Sequence, residues 1–398
     1  MAHQPSLMPP PAPKTTSLHH AWSSLHADLV RLLGWQVLAG DILDYVRFRV
    51  VCAHSRSSTI APRSHGIVDP RFHPKRWFLL PEGHGLQPAD VKKRFFNLCT
   101  GVFVRAWLPF LSDSYVLDSA NGLLLLQRKS QDTSAIRVLH PFTGDFVELP
   151  PLMSLVRANL DMSDGTGRVD FRSVTSISVT VDGFVAVMIK LYNISRVFFA
   201  TTKDQHWSVS TWNIGWYSET ISSQGKLFVL DSPTTHHREQ HILQIDPPRL
   251  DHHAMSSYLL PPRLIATCPT NKISAMFYME ECVSEILVIG HDANPLFKGR
   301  MLVYKVADLI MGKVVPVTST SRKQGFGNTL FTTIDHGISI DDDDISVYVR
   351  ETIAVSYKVI PTAVGDTIVR RRHLKDNSPL YYDLSSGEWS QGPAMGVC

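Results

Sequence analysis

Histidine and aspartate clusters are the first places to look for chemistry in this sequence. His236, His237, His241, His252 and His253 fall within one short stretch, and neutral imidazoles are ordinary transition-metal ligands. Such ligands need rigid supports with hydrogen-bonded partners behind them, whereas Pro233, Pro247 and Pro248 punctuate this stretch. A solvated loop is the better reading. Asp341 to Asp344 bring together consecutive carboxylates, but the run lacks the alternating ligands and glycine of a calcium loop. It fits the charged tip of a hairpin. No G-x-S-x-G, H-E-x-x-H or P-loop pattern occurs, and Gly325-Phe326-Gly327 is too short to cradle a phosphate.

Cys52, Cys99, Cys268, Cys282 and Cys398 are scattered, odd in number and without a C-x-x-C pair. They suggest neither a disulfide framework nor a zinc site, so a reducing compartment, cytosol or nucleus, is expected. No apolar run approaches the roughly 18 residues of a membrane-spanning helix. A net charge of +3 with dispersed Lys and Arg is a weak footprint for nucleic-acid binding. Lys92-Lys93-Arg94-Phe95-Phe96 mixes basic and aromatic residues as some RNA binders do. As one isolated cluster it reads instead as a solvated face with its aromatics turned inward. Trp207, Trp212, Trp216 and Tyr217 are read as blade core before recognition surface. The expectation is no enzyme, no cofactor, no metal, no nucleic acid and no membrane.

Residues 1–20 are Pro- and Ser-rich and read as a disordered tail. From Trp22 the pattern changes. Leu25, Leu29, Leu32, Leu33 and Val37 recur at helical spacing, with Ser23 and Ser24 as candidate caps and Gly34 as an interior weakness. Gly40 can end this helix and Asp41 can cap the next. Apolar residues from Ile42 to Val51 supply two further short helices, closing a helical unit over residues 21–60.

Beyond Ala61 the period shortens. Strand-like runs appear at Gly101–Trp107, Ser114–Leu117, Gly122–Gln127, Ala135–Leu139, Thr175–Val181, Phe184–Ile189, Arg196–Ala200, Lys226–Leu230, Ile286–Ile289, Met301–Val306 and Ile345–Val349. Sandwich, barrel and propeller all fit such runs. Length favours the propeller, because blades of four strands stack repeatedly and each needs about 40–50 residues. A faint echo supports blades: strand, polar turn and returning strand recur at Val138–Pro151, Val197–Trp207 and Leu380–Trp389. The expected fold is mainly β, a short helical segment followed by one propeller over residues 61–398, with about six to eight blades.

Two stretches carry a family resemblance. Leu25-His26-Ala27-Asp28-Leu29, followed by Asp41 to Arg56 with its Val51-Cys52 pair, resembles the F-box. Gly66-Ile67-Val68-Asp69-Pro70-Arg71-Phe72, Leu117 to Leu125, His140 to Pro151, Ile338-Ser339-Ile340 and Tyr382-Asp383-Leu384 resemble the F-box-associated, KIB-type propeller of large plant families, especially those of grasses. The resemblance implies a substrate-recognition adaptor of a Skp–cullin–F-box ubiquitin ligase. The F-box would dock a Skp-type adaptor and the propeller would hold an unknown target protein. Motif matching assigns Leu25, Asp28, Leu29, Leu32, Val51, Cys52 and Arg56 to the docking surface. His26 replaces the usual Pro, and Ser55 replaces a Trp whose buried anchor is worth about 2 kcal/mol or more. The alternative reading is a stand-alone propeller interaction module with a vestigial F-box.

Overall fold

In the computed structural model, described residues are 24–74, 77–79, 92–97, 100–128, 135–151, 169–171, 173–191, 194–215, 218–231, 240–251, 256–269, 275–282, 285–291, 301–317, 330–332, 336–341, 344–349, 367–370, 380–383 and 388–391. The chain divides into two compact units, one ending at Pro62 and the other beginning at Arg63. The tail, His236, His237, His252, His253, Trp216, Tyr217 and Gly325 to Gly327 lie outside the described residues.

The first unit holds α1 (Ala27–Gly40), α2 (Ile42–Val50) and α3 (Ala53–Ser57). Asp41 ends α1 and caps α2, its Oδ1 accepting from the Leu43 amide at 2.7 Å, as its position after Gly40 suggested. The cap of α1 is His26, whose Nδ1 accepts from the Asp28 amide at 3.3 Å, so the serine caps are not used. The buried stripe of α1 is Val30, Gly34 and Leu38. Leu29, Leu32 and Leu33 point elsewhere, because each residue step turns the helix by about 100° and these leucines stand one or two steps from the buried set.

Gly34 is where the helices close, rather than a weakness. A Cβ there would stand 2.8 Å from Thr59 Cγ2 and 3.4 Å from Tyr45 Cε2. Around it the polar groups are satisfied. The Tyr45 hydroxyl donates to Ile60 O at 2.8 Å, Thr59 Oγ1 donates to Ser55 O at 2.6 Å, and Arg49 donates to the Thr59 carbonyl and hydroxyl.

In the second unit, the inner strands of the first two four-stranded sheets are buried on both faces. β1 (Trp77–Leu79), β2 (Lys92–Asn97) and β3 (Phe103–Trp107) form an antiparallel sheet. β4 (Ser114–Ala120), β5 (Leu123–Arg128), β6 (Ile136–Leu139) and β7 (Phe146–Leu149) form the first four-stranded meander. After β8 (Val169–Phe171), a second meander runs through β9 (Ser173–Val179), β10 (Val185–Leu191), β11 (Val197–Thr201) and β12 (Ser208–Val209). A third joins β13 (Glu219–Ser223), β14 (Lys226–Asp231) and β15 (His241–Ile245) to β18 (Arg263–Thr267), with the ribbon of β16 (Arg249–Asp251) and β17 (Ser256–Tyr258) inserted. Next come β19 (Ala275–Cys282), β20 (Glu285–His291) and β21 (Met301–Lys305), then the short helix α4 (Val306–Ile310).

Residues of β5 alternate between two clusters. Leu124 and Leu126 pack towards Phe95 and Trp77 of the preceding sheet, while Leu123 and Leu125 pack towards Ile177, Val187 and Phe198 of the following one. The same division recurs in β11, where Phe198 and Ala200 face back and Val197 and Phe199 face forward onto Leu227 and Val229. Period-two alternation between two apolar faces is what stacked sheets require. The first strands of successive sheets, β4, β9, β13 and β19, are neighbours, which is propeller geometry.

The remaining strands are β22 (Leu330–Thr332), β23 (His336–Asp341), β24 (Asp344–Val349), β25 (Thr367–Arg370), β26 (Leu380–Asp383) and β27 (Trp389–Gln391). Asp341 faces Asp344 at the end of the β23–β24 pair, in keeping with the charged hairpin tip expected there, while Asp342 and Asp343 lie outside the described residues. The hairpin of β26 and β27 likewise matches the echo at Leu380–Trp389.

Residues 64–74, which precede β1, strap across the first meander. Asp145 Oδ2 accepts from the amides of Ser64 (2.8 Å) and Gly66 (3.2 Å). The fully buried His140 bonds to Phe72 O through Nε2 at 3.0 Å, while its Nδ1 accepts from the amides of Phe142 (3.3 Å) and Thr143 (3.0 Å). At the other end, Pro74 crosses the β4–β5 turn so closely that a Cβ on Gly122 would stand 1.9 Å from its carbonyl. Asn121 and Gly122 both have positive φ, the two-residue turn that suits a twisted hairpin. Thus the sequence segments Gly66–Phe72, Asn121-Gly122 and His140–Pro151, read separately as family motifs, meet in one latch.

Two outcomes test this description. Gly34→Val should destabilise the helical unit by about 1–3 kcal/mol, since overpacking displaces Thr59; faster amide exchange across residues 27–57 of the full chain is the readout. The His140 imidazole is neutral in the latch, with Nδ1 an acceptor, and burial holds its pKa below the usual value. A group that folds neutral stabilises the fold above its unfolded pKa of about 6.5 and loses that contribution as pH falls below it. Amide protection of residues 66–74 should therefore fall between pH 7.5 and about 5.5, and His140→Gln should flatten that dependence.

Candidate partner-docking surface

The strongest candidate for function is a surface on the helical unit, and its shape follows from the interior just described. Because Val30, Gly34 and Leu38 form the core stripe of α1, the i, i+3, i+4 set of Leu29, Leu32 and Leu33 is left to solvent at 51%, 60% and 43% exposure. On α2, Ile42 and Tyr45 are buried while Val46 and Val50, one turn apart, are exposed; Val51 follows at 71%. Contiguous apolar side chains turned outward on a folded unit are the ordinary mark of a partner site.

The residues assigned by motif divide into two groups. Asp28, Leu29, Leu32, Val51 and Arg56 lie on the surface, with Asp28 pairing to Arg31 Nη1 at 2.9 Å in the first turn, where its charge favours the helix start. Leu25 and Cys52 are half-buried and also take part in holding the helices together. Leu25 O pairs with His54 Nε2 at 2.9 Å, pinning the chain ahead of α1 to α3, and Cys52 caps α3 by taking the Ser55 amide on Sγ at 3.3 Å. Leu33, Val46 and Val50 were not assigned; their four-residue spacing relative to Leu29 and to each other was the signal available.

Ser55 is fully buried. The helices are drawn together around it by Gly34, Thr59 and Tyr45, leaving room only for a small residue. The interior is closed by hydrogen bonds and a Trp35–Tyr45 stack with centroids 6.1 Å apart.

The chemical candidates resolve differently. Burial pushes the Cys268 thiol up to about 12, far from the thiolate a nucleophile needs. His241 sits in β15, its backbone paired in register with Asp231 and Thr267. Among the described residues no group of three or more His, Cys, Asp or Glu is placed to hold a metal, and no helix is long and apolar enough to cross a membrane. Lys190 is buried, donates to Leu191 O and Ile194 O at 2.7 and 2.6 Å, and is lowered to about 8 by desolvation against the opposing pull of Asp231. Trp207 and Trp212 pack into the propeller core, Trp207 Nε1 donating to Pro150 O at 2.6 Å. An open recess of about 360 Å³ borders the strap at Ser64, Val68, Asp145 and Phe146. Its carboxylate is already committed to the strap amides.

Comparison with known proteins bears on the propeller half. No curated protein matches the chain. Among solved structures it is similar to a chain of a Nidogen/Laminin complex, at 9% identity over 76% of this chain and 90% of that one, with a TM-score of 0.30. It is also similar to the β-propeller domain of the Trilobed protease from Pyrococcus furiosus, at 11% identity over 77% and 87%, with a TM-score of 0.27. The N-terminal domain of Nup159 follows at 9% identity over 76% and 71%, with a TM-score of 0.20. These likenesses are too slight to add to the fold assignment. The family model described as KIB1-4 beta-propeller matches residues 95–346, more than half of the chain. With stacked four-stranded sheets and neighbouring first strands already in view, this chain belongs to the KIB1-4 beta-propeller family.

Proposed function

We propose that the chain is a non-catalytic recognition adaptor of a Skp–cullin–F-box ubiquitin ligase, working in the cytosol or nucleus. Its helical unit docks a Skp-type adaptor and its propeller holds the target protein. The observation that carries this reading is the outward apolar face of Leu29, Leu32 and Leu33 on a unit whose core is closed without them. An amphipathic helix with a second apolar face offers its i, i+3, i+4 side chains to a partner groove. The propeller supports a protein-interaction role, since its rigid stacked sheets present loops for binding.

Purified full-length protein should retain a Skp-type adaptor in a direct pull-down. Leu29→Asp, which sets a carboxylate in the contact, should weaken retention by at least about tenfold, equivalent to about 1.4 kcal/mol. Absence of binding by the unsubstituted protein, beside an F-box control that binds, overturns the proposal.

One observation favours a second reading, a stand-alone propeller interaction module. Ser55 fills a buried site built for a small residue, so the helical unit folds without the anchor typical of the F-box. Removal of residues 1–62 separates the two. The ligase reading expects the truncated chain to bind its target and lose the target's ubiquitylation; the stand-alone reading expects no change in the target's ubiquitylation.

A further inference from the structure

The sheet of β1, β2 and β3 carries a solvent face that the propeller core does not explain. In the β2–β3 register, Phe96 stands opposite Phe103, Arg94 opposite Arg105, and Lys92 opposite Trp107. Phe95 and Ala106, the intervening residues, turn to the apolar cluster with Leu124 and Leu126. Alternation therefore puts all six of the paired residues on the other face. There Phe103 is 60% and Trp107 64% exposed, while Phe96 is buried with the Phe103 ring at a centroid distance of 4.7 Å.

The Arg94–Arg105 pair is the informative feature. Like charges directly across a ladder destabilise a sheet, and among the described residues neither guanidinium makes an ion pair. β3 is also the last strand of its sheet, paired among the described residues with β2 alone. Two unneutralised, fixed-fork donors between two exposed aromatic rings, beside a strand edge that no described strand occupies, complement an anion carried on an extended chain.

We propose that β3 receives an acidic, extended segment of a protein partner, paired along the edge that no described strand occupies. Same-face side chains of a strand fall at every second residue, so the order Phe103, Arg105, Trp107 calls for apolar, acidic, apolar at alternate positions of the incoming strand. The carboxylate sits on Arg105 and Arg94, and the flanking apolar side chains rest on the two rings. The surface lies outside the helical unit, so it does not depend on recruitment of a ligase.

The test is fluorescence anisotropy of full-length protein with a labelled peptide repeating Val-Ser-Glu-Thr-Phe, its Gln counterpart, and oligouridylate. The Glu peptide should bind, weaken with added salt, and exceed the Gln peptide by at least about tenfold. Arg105→Glu should abolish that preference, and Trp107→Ala should weaken binding of both peptides. Arg105→Gln, which relieves the like-charge pair, serves if the reversal impairs folding; it should lose the preference while melting no lower than the unsubstituted protein. Failure to bind the Glu peptide, equal binding of both peptides, an unaffected Arg105→Glu protein, or binding of oligouridylate in place of the peptide each overturns the proposal.

Discussion

Burial of the same strands on both faces is the constraint on which this molecule depends. A strand such as β5 has no solvent side, since Leu124 and Leu126 serve one apolar layer and Leu123 and Leu125 the next. The sheets of β4–β7 and β9–β12 are thus each the floor of one core and the ceiling of another, and neither can be removed without exposing two layers. At roughly 25 cal/mol per Å² of apolar surface withdrawn from water, that double burial outweighs any single polar contact in the unit.

Apolar layers fix how far apart the sheets stand but not how they are rotated or registered, and the polar bonds between neighbouring sheets supply that. Adjacent first strands have no shared ladder, so side chains reach across to backbone and side-chain groups of the next sheet. Asp118 accepts from the Thr175 amide at 2.8 Å, Asn121 donates to Ile177 O at 2.7 Å, and Ser223 donates to Glu281 at 3.0 Å. Asp204 gathers the Thr201 turn and the Ser257 amide and hydroxyl in the same way. The strap of residues 64–74 extends this logic along the chain, using Asp145 and a neutral His140 to hold a segment that belongs to no sheet. Such bonds are charge-assisted or shielded from water, where a lost partner leaves a buried group unsatisfied.

The helical unit is closed by contact instead of area. Gly34 lets α1 approach Thr59 and Tyr45, and the polar groups of Tyr45, Arg49 and Thr59 satisfy backbone carbonyls at the helix ends. With its interior so small, the unit leaves leucines of α1 and valines of α2 outside, and those side chains are what it offers to another molecule. The propeller sheet of β1 to β3 makes a comparable offer in a different chemistry, through cations and rings.

Much of this was legible in the residues. Runs such as Gly122–Gln127 and Phe184–Ile189 declare strands and Gly40-Asp41 declares a helix break, because each depends on local backbone preference and side-chain period, whereas the Asn121-Gly122 turn reads only as part of a strand and a motif. Other strands were hidden: β13, with Ser and Thr at alternate positions, owes its place to its neighbours. The helical period of Leu29, Leu32 and Leu33 was visible too, but which stripe of α1 faces inward was not, since that was decided by Thr59 and Tyr45 meeting Gly34 from elsewhere in the chain. In the same way the roles of His140 and Asp145, and the facing of Arg94 with Arg105, arise only when distant segments are brought together. A sequence fixes the period and turn chemistry of each element; long-range packing selects which face of it is spent on the fold and which remains for a partner.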